Sequence, residues 1–125
     1  MPCSVLVVDD DEAIRSALCE ILELEGYTVR GVANGREALQ EVERHCPELV
    51  LLDMQMPIMD GWAFARAARE RGITVTILVL TAAMNAERWA SEIQADGWIS
   101  KPFDLDQLFT EVERLCPPQH MPHAA

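Results

Sequence analysis

Positive charge is scarce in this chain: ten lysines and arginines stand against 21 acidic residues in 125, a formal net charge of −11. Such a surface opposes direct binding to nucleic acid and is repelled by an anionic membrane, and no basic patch relieves it. Apolar runs stop at about strand length, and Met1 to Ser4 has no basic region ahead of an apolar one, so neither membrane insertion nor export is expected. Cysteine is present but unpatterned. Cys3, Cys19, Cys46 and Cys116 are far apart with no Cys-x-x-Cys pair, which reads as reduced thiols in a cytoplasmic protein rather than a disulfide framework. Internal repeats and linkers are missing as well. A chain of this length therefore holds one domain around one core.

What is present is alternation between two hydrophobic periods. Residues 5–8, 27–32, 49–52, 75–80 and 97–100 are short apolar runs bounded by polar residues or glycine, as strands are, and several are apolar throughout, which predicts burial of both faces. Between them the period lengthens. Ile14, Ala17, Leu18, Ile21 and Leu22 follow helical spacing, and so do Leu105, Leu108, Phe109, Val112 and Leu115. Asn34-Gly35, Asp60-Gly61 and Asp104 supply starts for helices over residues 36–45, 62–71 and 105–116, while Gly26 and Gly72 supply stops. A weaker helix contains Ala86, Trp89, Ala90 and Ile93. Strands alternating with helices predict an α/β domain, a doubly wound five-stranded parallel sheet covered on both sides by right-handed crossovers. The domain spans 1–116, and 117–125, with three prolines and no periodicity, is expected to be a frayed tail.

Ligands of such sheets bind beyond the carboxyl ends of the strands. Asp9, Asp10 and Asp11 follow the first strand and Asp53 follows the third, so acids converge at that edge. Clustered carboxylates raise one another's pKa, and a divalent cation relieves them. Mg2+ suits the set, because it takes hard oxygen ligands, few of them carboxylates, and leaves positions for water and phosphate. The plainer reading of Asp10 and Asp11 is helix capping. Thr81 ends the fourth strand and Lys101-Pro102 follows the fifth, adding a hydroxyl and a cation to the same edge. A nucleophilic carboxylate, a metal site, a cation and a donor are the parts that phosphoryl transfer needs.

In order and spacing these pieces resemble the receiver domains of two-component response regulators. The matching motifs are Val7-Val8-Asp9-Asp10-Asp11, Leu51-Leu52-Asp53-Met54-Gln55-Met56-Pro57-Ile58-Met59-Asp60-Gly61, Leu80-Thr81-Ala82 and Lys101-Pro102-Phe103, and the resemblance spans about residues 4–116. It implies a flavodoxin-like sheet of strand order 2-1-3-4-5, with Asp53 as phosphoacceptor. It also implies Asp10 as a direct Mg2+ ligand, Asp9 as a ligand through water and Gln55 as a ligand through its main-chain carbonyl. Thr81 and Lys101 would hold the phosphoryl oxygens, and the peptide before Pro102 would be cis. The implied phosphodonor is a sensor histidine kinase or a histidine phosphotransfer protein. The implied output is a downstream protein effector, met by a surface of the fourth helix, fifth strand and fifth helix that follows Thr81 and Trp98 in a two-state switch.

The chain departs from the family pattern in places. Trp98 stands where Tyr or Phe is usual, and a bulkier indole is expected to bury incompletely on activation. The segment between Thr81 and Trp98 is about two residues short, which predicts a short or irregular fourth helix, and Gln94 replaces a glycine that often ends it. Trp89 reads either as core or as a partner anchor, and Met54, Met56 and Met59 as packing residues. Cys116, His120 and His123 make a chance cluster more readily than a metal site.

An aspartyl-nucleophile phosphohydrolase is the competing class, but its general acid two residues after the nucleophile is here Gln55, which cannot protonate a leaving alkoxide. A receiver-like module that never takes phosphate would lack part of the acidic group, and none is missing. No output segment follows Cys116, so the effect is expected through another protein, or the chain is part of a longer one. Ala83 offers no polar side chain to orient an attacking water, so a long-lived aspartyl phosphate is expected; decay of label from isolated phosphoprotein measures it, and rapid loss counts against it.

Overall fold

The computed structural model describes residues 3–82 and 84–117. Parallel strands β1 (Ser4–Val8), β2 (Thr28–Val32), β3 (Leu49–Leu52), β4 (Thr76–Thr81) and β5 (Gly97–Ser100) alternate with helices α1 (Glu12–Leu24), α2 (Gly35–Arg44), α3 (Gly61–Glu70), α4 (Ala86–Glu92) and α5 (Leu105–Leu115). The strands lie in the order β2-β1-β3-β4-β5, as expected. The expected elements all form, with boundaries shifted by one or two residues.

Period-2 alternation divides the core. Val5, Val7, Leu49, Leu51, Leu78 and Leu80 point to one face, where Leu18 and Leu22 of α1 and Leu108 and Val112 of α5 cover them. Leu6, Val8, Val50, Leu52, Ile77 and Val79 point to the other, against Ala38, Leu39 and Val42 of α2, Phe64, Ala65 and Ala68 of α3 and Ala90 of α4. This is why β1, β3 and β4 read as continuous apolar runs, whereas the outer strands β2 and β5 are more exposed.

Four helices start on capping side chains. Asp11, Asn34, Asp60 and Asp104 accept from the backbone N–H groups of Ile14, Glu37, Ala63 and Gln107. Helix α4 has neither length nor cap: it runs seven residues, its Asn85 makes no side-chain cap bond, and Gln94 beyond it sits at φ +55°. The shortened segment and the missing glycine therefore have the expected consequence. A side chain at positive φ costs roughly 1 kcal/mol.

Gly35 and Gly61 matter for close approach. A Cβ on Gly61 would lie 2.6 Å from Met54 Sδ, and one on Gly35 would lie 2.5 Å from the Met59 carbonyl oxygen. The Asn-Gly and Asp-Gly pairs thus let the loop after β3 lie flat against the starts of α2 and α3, with Gly35 N–H donating to Met59 O at 2.8 Å and Gly61 N–H to Met54 O at 3.0 Å. Met54 is fully buried and Met56 and Met59 pack beside it, as the sequence suggested.

One expectation is overturned. Cys3, before β1, and Cys116, after α5, form a disulfide across a sequence separation of 113 residues, with Cα atoms 6.1 Å apart. Cysteine spacing could not reveal it, because the pairing is tertiary: the start of β1 and the end of α5 meet at the opposite end of the sheet from the acids. Cys19 and Cys46 are free thiols. The tail residues 118–125, including His120 and His123, lie outside the described residues, as do Ala83, Met1 and Pro2.

Closing a loop of this length is worth on the order of 4 kcal/mol in the chain-entropy account. Thiol titration of the oxidised protein in denaturant is expected to find two reactive thiols, and reduction or Cys116→Ser to lower the unfolding free energy by about 2–4 kcal/mol. Four titratable thiols before reduction would refute the pairing.

Candidate functional site

The carboxyl ends of β1, β3, β4 and β5 put the singled-out residues on one edge. Asp9 follows β1 and is 2% exposed, Asp53 follows β3 and is 8% exposed, and Thr81, the last residue of β4, is 1% exposed. Backbone pairing fixes the two acids: Asp9 N–H donates to Val32 O and Asp53 N–H to Val8 O, so each continues the ladder past the last strand residue. Lys101, the only lysine in the chain, follows β5. Its backbone N–H donates to Thr81 O at 2.7 Å, and the peptide to Pro102 is cis.

Lys101 Nζ lies 2.8 Å from Asp9 Oδ2 and 3.7 Å from Asp53 Oδ2. Asp9 is held from two further sides: its Oδ1 accepts from Asp11 N–H at 2.9 Å, and its carbonyl accepts from Arg15 Nη1 at 2.8 Å. Asp11, read from the sequence as a helix cap, and Arg15, which sequence reasoning did not single out, are positioning residues. Arg15 lies one turn along α1 from Asp11, a spacing that carried the signal. The structure also separates the neighbouring acids by task, for Asp11 caps α1 while Asp10 is exposed and free of that duty.

Carboxylate oxygens of Asp9, Asp10 and Asp53 all lie within 4.8 Å of one another. Three acids against one ammonium leave excess negative charge in a partly desolvated corner. The consequence falls on Asp53, whose pKa is pushed up from 3.8 to about 6. Burial is the main cause, with Asp9 and then Asp10 adding to it, while Lys101 and the Gln55 N–H, which donates to Asp53 Oδ1 at 3.3 Å, pull the other way. Hard oxygen donors with an open side at Asp10 fit a divalent cation of the Mg2+ type.

Trp98 is not part of this cluster. It sits on β5 opposite Val79 and is 43% exposed, turned toward the groove between α4 and α5. Trp89 packs partly against the core and meets Trp62 edge to face at a centroid distance of 4.8 Å, which favours the packing reading.

A model of the response regulator receiver domain family matches residues 5–113. The chain is 41% identical over 117 residues to the response regulator MprA of Mycolicibacterium vanbaalenii, which covers 92% of this chain and 51% of that protein. It is 40% identical over 113 residues to MprA of Mycobacterium leprae, with 89% and 50% covered. The chain thus spans about half the length of these curated relatives. Among solved structures it is similar to chemotaxis protein CheY4 of Vibrio cholerae (TM-score 0.83, 31% identity, 92% and 99% covered). It is also similar to response regulator TrrA of Thermotoga maritima in complex with Mg(2+)-BeF (TM-score 0.81, 35% identity, 90% and 98% covered).

The raised pKa of Asp53 has a testable sign. Its folded value lies above its unfolded value, so ionising Asp53 costs the fold stability; the cost is full above pH 7 and is relieved as pH falls through about 6 toward 3.8. In metal-free buffer Asp53→Asn is expected to be more stable than wild type at pH 7.5 by about 1–3 kcal/mol, the two converging near pH 4. A variant less stable than wild type at pH 7.5 would contradict this electrostatics.

Proposed function

From the premise that the chain belongs to the response regulator receiver domain family, we propose that it is the phosphoacceptor of a two-component phosphorelay and that Asp53 carries the phosphoryl group. The observation that supports this most directly is the placing of a buried carboxylate beside two others and 3.7 Å from the only lysine. Response regulators act with histidine kinases and downstream effectors. We assign as phosphodonor a sensor histidine kinase or a histidine phosphotransfer protein, and as output a protein effector.

A carboxylate oxygen of Asp53 forms the new O–P bond as the P–N bond of the donor phosphohistidine breaks, and the electron pair leaves with the imidazole. Lys101 then moves from its Asp9 and Asp53 contacts to a phosphoryl oxygen, and the Thr81 hydroxyl donates to another. Asp10, Asp53, the main-chain carbonyl of Gln55 and, through water, Asp9 would hold Mg2+. When bound, the ion neutralises charge on the transferring phosphoryl group and relieves the carboxylate cluster. Arg15 and the Asp11 N–H keep Asp9 in place throughout.

We assign residues 1–116 to the receiver domain and 117–125 to its tail. We assign the protein to the cytoplasm, where such donors present their phosphohistidines; no described helix is long and apolar enough to cross a membrane. The disulfide removes thiol reduction as a reason for this placement. The Gln55 side chain supplies no acid, so the chain is a signalling receiver rather than a hydrolase of external phosphoesters. Phosphorylation draws Thr81 inward and reorganises α4, β5 and α5, with Trp98 following incompletely.

Incubation with Mg2+ and acetyl phosphate is expected to add one phosphate to the wild type and none to Asp53→Asn. Mg2+ alone is expected to raise the unfolding midpoint of the wild type and to raise that of Asp53→Asn much less. Phosphate added to Asp53→Asn, or none added to the wild type, would refute the assignment.

A further inference from the structure

β5 is an outer strand, and between α4, β5 and α5 lies an open groove of about 900 Å³. Trp98 lines it with its indole 43% exposed. The charged lining has nearly one sign: Glu87 of α4, Asp96, and Asp104, Asp106 and Glu111 of α5 contribute five carboxylates, against Arg114 as the single cation among the described residues. Arg114 is already engaged, donating to Glu111 Oε1 at 2.7 Å and to the Asp96 carbonyl at 3.1 Å. Asp96 and Asp104 spend oxygens on the Ile77 and Gln107 backbone N–H groups but keep their charge. Glu87 and Asp106 are exposed at the first turns of their helices.

We infer that this groove binds a cationic amphipathic segment of a partner protein, its arginines set against the acidic rim and one of them stacked on Trp98. An aromatic face ringed by carboxylates attracts a guanidinium twice, through its charge and through the ring quadrupole. A second copy of the chain is the wrong occupant, because face-to-face pairing would oppose two like-charged rims on molecules that each carry −11. Nucleic acid is repelled for the same reason. The inference names the partner of the output surface and rests on the receiver reading only for its control by phosphorylation. β5 supplies the link, since Lys101 follows the strand that carries Trp98.

The test uses dye-labelled peptides read by fluorescence anisotropy: one amphipathic peptide of arginine, leucine and alanine, and its counterpart with glutamate for arginine. The protein is treated with Mg2+ and acetyl phosphate, and phosphate uptake is followed by mass in the same samples. The cationic peptide is expected to bind, with affinity falling about fivefold or more in Trp98→Ala, in Glu87→Lys with Asp106→Lys, and on raising salt to a few tenths molar. The acidic peptide is expected not to bind. Any one of three outcomes overturns the inference: no binding of the cationic peptide, equal binding of the acidic one, or binding unchanged by the double charge reversal. Self-association of the phosphorylated protein that Trp98→Ala abolishes overturns it in favour of a second copy. Phosphate uptake by the variants shows that they are folded. A wild type that takes up no phosphate but binds the cationic peptide sinks the receiver reading and leaves the groove standing.

Discussion

The crowding of Asp9, Asp10 and Asp53 against a single ammonium is the constraint on which the rest of the molecule depends. Parallel pairing of β1 with β3 places two carboxylates side by side because each follows the last residue of its strand. The sheet cannot relax this without breaking a ladder bond at Asp53 N–H or Asp9 N–H, and each bond is worth about 1 kcal/mol. The repulsion is therefore built into the backbone. It is held in check by Lys101, by the helix start at Asp11, and by the apolar packing of β1 and β3 on both faces. On the proposed reading, the energy of such a fold would respond to a cation or to conversion of one carboxylate into an acyl phosphate.

Much of this was legible before any coordinates. The runs at β1, β3 and β4 and the helical spacing of α1 and α5 follow from burial, which the two periods report directly. The edge-forming acids were legible too, since a residue just past an apolar run in a parallel sheet has only one place to go. Contacts made across the sequence were not. Arg15 reaches the Asp9 carbonyl only because α1 turns back over β1, and the Cys3–Cys116 pairing depends on where the first strand starts relative to where the last helix ends. The Asn-Gly and Asp-Gly pairs were seen as helix starts, while their second task, letting the loop after β3 lie close, shows only when a Cβ is imagined in place. Asp10 and Asp11 show a milder form of the same limit: capping was open to either from the sequence, and the structure gives it to Asp11.

Helix α4 is where local preference and tertiary demand disagree most. Seven residues are too few to hold a helix alone, and neither a cap at Asn85 nor a glycine at position 94 assists. What holds it is the burial of Ala86, Ala90 and Ile93 and a rim of polar contacts, among them Trp62 Nε1 donating to Glu92 at 2.9 Å and Arg69 donating to the Ile93 carbonyl. An element stabilised from outside rather than from within is easily biased, because changing one neighbouring surface changes most of what supports it. Thr81 ends the strand immediately before this helix and is itself buried, so a displacement there reaches α4 through few intervening residues.

Charge then decides what such a displacement can present. With acids in more than twofold excess over cations, the surface offers few places where a further carboxylate or a phosphate is welcome, and the one lysine is committed to the acidic edge. Adding a phosphoryl group at Asp53 makes the molecule more negative still, so phosphorylation cannot create attraction for an anionic partner by long-range electrostatics. It can only change shape, or draw Lys101 away from Asp9 toward the new oxygens. On the proposed reading, any affinity gained on phosphorylation for a partner that is not cationic would come from rearranged packing around β5 and α4, with the acidic field serving to choose among partners and to speed their arrival.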